Sequence, residues 1–363
     1  MSYNLISKYR TELMGIAIIW IYFFHSGIDF EGNILSYIFT FLKNTGYGGV
    51  DLFFFLSGFG LMQGMLKNKY SPLQFYRKRS LRILPTYWLV TSAIMVGHMI
   101  FKNDINILGA FLLELTTVGF IFMGFRYDWF IASLMAFYLV FPLYFYCYKG
   151  SSNKGSLIIA IVGSSLFLCA LIIPSQLNYL LIFATRIPIF FIGAHVGYLS
   201  YTGGMKTTAR IDWFCMTCLV GAVASLVFMF SITSQDERWH YGLWWYPFII
   251  GSYPICFFVA YTLEKLSDYL GNNYFYAKMK GFLNLCGRYS LEIYLLHASI
   301  VFKIGEKIWP HYESQYAVIG TLNKGHIVEY LLYFAITISL SVPLHRISMS
   351  IQRLFNGPEE QAG

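Results

Sequence analysis

Arg10-Thr11-Glu12-Leu13-Met14-Gly15-Ile16-Ala17-Ile18-Ile19-Trp20-Ile21-Tyr22-Phe23-Phe24-His25-Ser26 is an apolar stretch with a cation at its start and a histidine near its end. With the residues that follow, it approaches the roughly 20 that a membrane-crossing helix needs. An ionisable side chain in such a helix is costly. It faces a bundle interior or a wet cavity, and a functional role is the default expectation. Entered from Thr11, His25 lies about 20 Å along the helix at about 1.5 Å per residue. A neutral imidazole there is able to take a proton from a hydroxyl. The plainer alternative is a hydrogen-bonded packing contact.

The surrounding composition places this stretch in a membrane. Of 363 residues, 57% are apolar and 12% charged, about half the charge of a soluble protein. The net charge of +8 does not mark a nucleic-acid binder, because the basic residues sit in short segments between apolar runs, where membrane topology puts them. The six cysteines fall in or beside apolar runs and form no extracellular disulfide pattern. Cys215 and Cys218 make a C-x-x-C, but with no second pair or nearby histidines it reads as helix packing rather than zinc. No small-residue cleavage site follows the first run, so it is expected to remain as a helix.

Eleven apolar runs occur, at 11–30, 47–65, 83–101, 107–124, 129–148, 156–173, 179–200, 211–232, 244–263, 284–304 and 326–345. Basic residues prefer cytoplasmic loops. If 107–124 does not cross, seventeen Lys and Arg fall inside and six outside; if it crosses, the tally is twelve against eleven. The expected fold is therefore all-α and integral to the membrane. Ten helices cross, both termini are cytoplasmic, and 107–124 forms a partly embedded or re-entrant segment on the outer side. Such a segment is tolerated where it packs on protein, and Glu114, Thr116 and Thr117 suit a wet or protein-packed setting better than lipid. A single polytopic domain over 1–355 is expected, followed by a short polar tail at 356–363. The longest cytoplasmic loops are 66–82 and 264–283.

Four constellations could carry chemistry. His25 is the first. The second is Gly48 to Phe59, where Ser57-Gly58 is either a small-residue packing notch or room for a substrate arm, and Asp51 stands near the outer end. The third is Phe75 to Trp88. Arg79 and Arg82 share a face if this segment is helical, and arginine forks suit phosphate, although any cytoplasmic loop would be basic. The fourth is Arg288 to Ala298. Arg288 and Glu292 lie one turn apart and could pair, and His297 lies about 20 Å from the cytoplasmic entry, level with His25. Arg186 sits inside an apolar run and needs a carboxylate, a carbonyl or a bound anion. Asp128 stands beside Trp129 at an outer mouth.

Taken together, Leu13 to His25, Gly49 to Gly58, Arg79-Ser80-Leu81-Arg82 with the Ile83 to Trp88 stretch, Trp129 to Tyr138 with Pro142, and Tyr294 to His297 resemble the membrane acyltransferase family 3. Its members O-acetylate sugars and cell-surface glycans. The resemblance covers nearly the whole chain. It implies that His25 is the catalytic base; independently of the resemblance, His297, Arg186 and Glu292 are candidate polar partners in the same cavity. The resemblance implies that Arg79 and Arg82 bind acetyl-CoA or another acyl-CoA, the co-substrate; no metal is expected. The family pattern has a basic residue eleven positions before the histidine. Met14 stands there in this chain, and Arg10 lies one helical turn earlier on the same face.

The expected activity is transfer of an acyl group, acetyl first, from cytoplasmic acyl-CoA to a hydroxyl of a glycan or lipid-linked sugar at the outer face of the cell membrane. Arg10 and Ser57 join the acyl-CoA contacts, and Asp51, Arg186 and Asp128 the acceptor contacts. The remaining partners are membrane lipids, with no nucleic acid, and the oligomeric state is left open. A transporter moving a polar glycan without chemistry would line its path with the same groups, though no repeated halves of the transporter kind occur.

Overall fold

The structure is a computed structural model that describes residues 4–26, 33–102, 108–124, 129–203, 209–271, 273–299 and 327–355. The described residues form seventeen α-helices and no strand. In chain order these are α1 (Asn4–Lys8), α2 (Arg10–Phe24), α3 (Ile34–Asn44), α4 (Gly48–Asn68), α5 (Pro72–Lys102), α6 (Leu108–Leu115), α7 (Gly119–Met123), α8 (Trp129–Gly150), α9 (Lys154–Ile172), α10 (Leu181–Ala184), α11 (Arg186–Thr202), α12 (Ala209–Ile232), α13 (Gln235–His240), α14 (Tyr246–Leu270), α15 (Tyr274–Arg288), α16 (Ser290–Ser299) and α17 (Ile327–Phe355). A 3-10 turn, Asn178–Leu180, leads into α10.

Among the described residues, seven helices are long and apolar enough to cross a membrane: Gly48–Asn68, Trp129–Gly150, Lys154–Ile172, Asn178–Thr202, Trp213–Ile232, Tyr246–Leu270 and Tyr330–Phe355. The chain is a multi-pass helical membrane protein. Large apolar side chains such as Ile159, Phe167, Val220 and Phe228 are exposed, as lipid-facing surface requires. The run at 284–304 continues beyond the described residues.

The 107–124 run makes no single crossing helix. It breaks into α6, eight residues long, and α7, five residues long, or about 12 Å and 8 Å against a hydrocarbon core of ~30 Å. Between them Thr117 takes a left-handed φ of 62°. Glu114 and Thr117 are buried, as expected, while Thr116 is exposed.

Two expected loops turn out to be helical. Between α4 and α5 only residues 69–71 are non-helical. The Ser71 hydroxyl accepts from Gln74 N–H, and Gln74 Oε1 accepts from Ser71 N–H. This capping box, with Pro72 at the first helical position, starts α5 well before its apolar part. The segment 264–283 is taken up likewise by the end of α14 and by α15. Helix α3 was not anticipated, because Ser36, Thr40 and Lys43 interrupt its apolar residues; Asn33 and Ser36 cap it.

The chain forms two compact units from interleaved segments. One comprises Met1–Leu13, Val50–Tyr76 and Thr116–Lys280, and the other Met14–Gly49, Arg77–Leu115 and Gly281–Gly363. In the first, α4 and α11 cross at close range. A Cβ on Gly58 would lie 2.0 Å from the Phe190 carbonyl oxygen, and one on Gly193 would lie 2.1 Å from that of Phe55. Backbone meets backbone there, so Gly58→Ala must push the helices apart, at a cost of about 1–3 kcal/mol. Gly163→Ala, whose Cβ meets nothing within 4 Å, is the control. Thermal unfolding in detergent should separate the two, and equal melting temperatures would contradict the crossing. At the N-terminus, Glu264 accepts from Lys8 Nζ and Tyr9 Oη, each at 2.6 Å. That bond holds the Lys8 ammonium above the ordinary lysine range.

In the second unit α16 packs on α17, and α5 is tied to α17 at two points. Arg77 donates to the Phe355 carbonyl at 2.6 Å, and the Thr86 and Ser348 hydroxyls meet at 2.7 Å. Helix α17 buries its polar side. Tyr330, Tyr333, Thr337, Ser341 and Ser348 are buried, while Leu331, Leu332, Ile336, Leu340 and Ile347 are exposed. The three-to-four spacing puts the buried set on one face.

Candidate active site

The second unit brings the two anticipated histidines together. His25 N–H donates to Ile21 O at 3.2 Å, so the helical path of α2 carries on to it. The His25 and His297 ring centroids are 5.2 Å apart. His297 Nδ1 bonds the Tyr294 carbonyl of its own helix. A carbonyl only accepts, so Nδ1 carries the hydrogen and the neutral ring keeps its lone pair on Nε2. His297 is buried and His25 half-buried.

Tyr22, one turn before His25, supports this pair. Its ring lies 6.1 Å from that of His297 and packs against Tyr330 and Phe334 at 5.3 and 4.5 Å. Tyr330 Oη donates to the Tyr22 carbonyl at 3.1 Å, and the Tyr22 and Thr337 hydroxyls are 3.5 Å apart. Tyr22, Tyr330 and Thr337 were not singled out in the sequence. A signal existed, namely hydroxyl-bearing residues at helical spacing within the last apolar run.

Glu292 does not pair with Arg288. The helical run is interrupted at Tyr289, and Glu292 Oε1 instead meets His345 Nδ1 of α17 at 2.8 Å. Arg79 and Arg82 both lie on α5, three residues apart as the shared face requires; Arg79 is half-buried and Arg82 exposed. Thr86 lies one turn beyond Arg82.

The first unit holds the remaining candidates. Asp51 and Arg186 face each other across α4 and α11, with Nε–Oδ1 at 2.9 Å and Nη2–Oδ2 at 3.3 Å, and their side chains are 0% and 1% exposed. Arg186 Nη1 also donates to the Ile182 carbonyl at 3.0 Å. Its guanidinium lies 5.2 Å from the Trp129 ring and 4.8 Å from the Trp245 ring. The carboxylate and the carbonyl that Arg186 needs are thus supplied by the protein. The two acceptor contacts expected of this pair are turned toward each other.

Arg10 Nε donates to the Leu56 carbonyl at 3.2 Å, and its guanidinium lies where a side chain on residue 60 would be, a space that Gly60 leaves clear. Gly58 faces the α11 backbone, which fits the packing-notch reading rather than room for a substrate arm. Ser57 lies half-buried beside it. Asp128 lies outside the described residues. All six cysteines are free.

Comparison with known proteins adds the family. The exopolysaccharide production protein ExoZ of Rhizobium meliloti (strain 1021) is 37% identical over 54 residues, 15% of this chain and 17% of that protein. No solved structure matches. A family model described as an acyltransferase domain matches residues 13–346. That span takes in His25, Arg79, Arg82, Glu292, His297 and His345, and the chain belongs to the membrane acyltransferase family 3.

Proposed function

We propose that the protein moves an acyl group, acetyl first, from cytoplasmic acyl-CoA to a hydroxyl of a glycan at the outer face of the cell membrane. It does so with ten crossing helices and both termini in the cytoplasm. The observation that supports this reading is the imidazole pair of His25 and His297, with ring centroids 5.2 Å apart, in a chain of the acyltransferase family. Arg79 and Arg82 offer cations to the CoA phosphates. His25 takes the proton of the acceptor hydroxyl. The oxygen attacks the thioester carbonyl, the carbon–sulfur bond breaks with its electron pair on sulfur, and CoA leaves. The partial likeness to an exopolysaccharide production protein favours an extracellular polysaccharide as acceptor.

The test uses purified protein in liposomes with radiolabelled acetyl-CoA inside. Polysaccharide from cells lacking the gene is the acceptor outside. Label on the polysaccharide with matching CoA release supports the reading. Polysaccharide movement without label transfer would favour a transporter. Arg79→Ala with Arg82→Ala should weaken acetyl-CoA binding about a hundredfold, as loss of two charge-assisted contacts of about 1.5 kcal/mol each implies. Unchanged affinity would remove the arginines from the donor site.

A further inference from the structure

The proposed reaction accounts for His25 but gives the His345 imidazole of the same unit no role. His345 and Glu292 form a pair at 2.8 Å, the carboxylate 4% exposed and the imidazole 30%. The Tyr289 ring stands edge-on to His345 with centroids 5.1 Å apart. A carboxylate on Nδ1 fixes the ring's orientation and balances a proton held on it, and it leaves Nε2 as the nitrogen that exchanges protons.

Position distinguishes this pair from His25 and His297. On α16, Glu292 precedes His297 by five residues, an axial step of about 7.5 Å. On α17, His345 is one turn from Ser348, whose hydroxyl meets Thr86, and Thr86 is one turn from Arg82. The rises sum to about 10 Å between Arg82 and His345. The carboxylate-held imidazole thus stands between the arginines and the imidazole pair. A donor anchored at Arg79 and Arg82 and reacting near His25 would pass it.

We propose that His345, held by Glu292, is the acid that protonates the departing CoA sulfur. The proposal rests on the acyl-transfer reading above. As the acceptor C–O bond forms, the acceptor O–H bond breaks and its proton goes to His25. As the C–S bond breaks, its electron pair goes to sulfur, and the Nε2–H proton of His345 completes the thiol. His25 then gives up one proton to water and His345 regains one, so the sum is acyl-CoA plus hydroxyl to ester plus CoA thiol. His345 acts on the leaving group. Glu292 acts through His345 and is a positioning residue.

The test compares leaving groups. His345→Gln and Glu292→Gln proteins in liposomes are assayed with acetyl-CoA and with its oxygen ester, in which oxygen replaces the thioester sulfur. Polysaccharide from cells lacking the gene is again the acceptor. The alkoxide leaving group is the stronger base and depends more on an acid. His345→Gln should lower kcat on acetyl-CoA about a hundredfold, leave the donor KM within threefold, and lose at least tenfold more on the oxygen ester. Glu292→Gln should show the same pattern with smaller losses. Acetyl-CoA binding by the variants confirms that they are folded. Equal losses on both donors, a change in KM alone, or no loss would overturn the assignment. A wild-type protein that releases no CoA would overturn the acyl-transfer reading, and this assignment with it.

Discussion

His25→Ala should lower acyl transfer by about 10²–10⁴-fold, the usual range for a lost general base, while acetyl-CoA binding stays near wild type. The two readouts diverge because His25 stands at the end of α2, whereas the proposed donor contacts are on α5. The side chain is half-buried, so its truncation should cost little stability, and a folded but inactive variant is the expected product. His297→Ala should fall less steeply, because the Tyr294 carbonyl fixes its Nδ1–H and it sits beside the proposed base. The measurement is label transferred to polysaccharide over time. Transfer within threefold of wild type in His25→Ala would remove this histidine from the chemistry.

Asp51→Ala should destabilise the protein by about 3–5 kcal/mol, the cost of leaving a buried charge without its partner. Arg186 has no way out of this cost. The guanidinium does not lose its proton in a protein, its side chain is 1% exposed, and Trp129 and Trp245 flank it. The Ile182 carbonyl remains, but a neutral acceptor does not balance a cation. Replacing both partners, as Asp51→Leu with Arg186→Met, should recover most of the loss, since apolar substitution of a buried pair is often neutral or stabilising. Unfolding in detergent, followed by tryptophan fluorescence, checks both. A single variant as stable as wild type would mean that the pair is dispensable to the fold.

The parts of this protein legible in its sequence are those that a single helix determines. The apolar runs became helices, because length and hydropathy act locally. Charge asymmetry led to the expectation that 107–124 does not cross, and the run forms two short helices rather than one long one. Arg186 was read as needing a carboxylate, a carbonyl or a bound anion, and Asp51 and Ile182 supply the first two. What stayed hidden depends on which helices meet. Glu292 was matched to Arg288 by spacing, yet its partner is His345, 53 residues away. Gly58 was open to two readings until α11 was seen lying against it. His345 drew no notice, because a histidine at the end of the last apolar run shows nothing until its neighbour is known.

The Tyr22 contacts set a constraint in time. The bond from Tyr330 to the Tyr22 carbonyl joins residues 308 positions apart, and His297 is nearly as far from His25. At a synthesis rate of about 5–20 residues per second, roughly 15–60 s separate the emergence of the first partner from that of the last. For most of that interval α2 is already made, with no imidazole opposite its histidine. A ribosome that stops before α17 therefore yields a chain with neither the Tyr22 support nor the His345 pair. The proposed chemistry belongs only to the finished polypeptide.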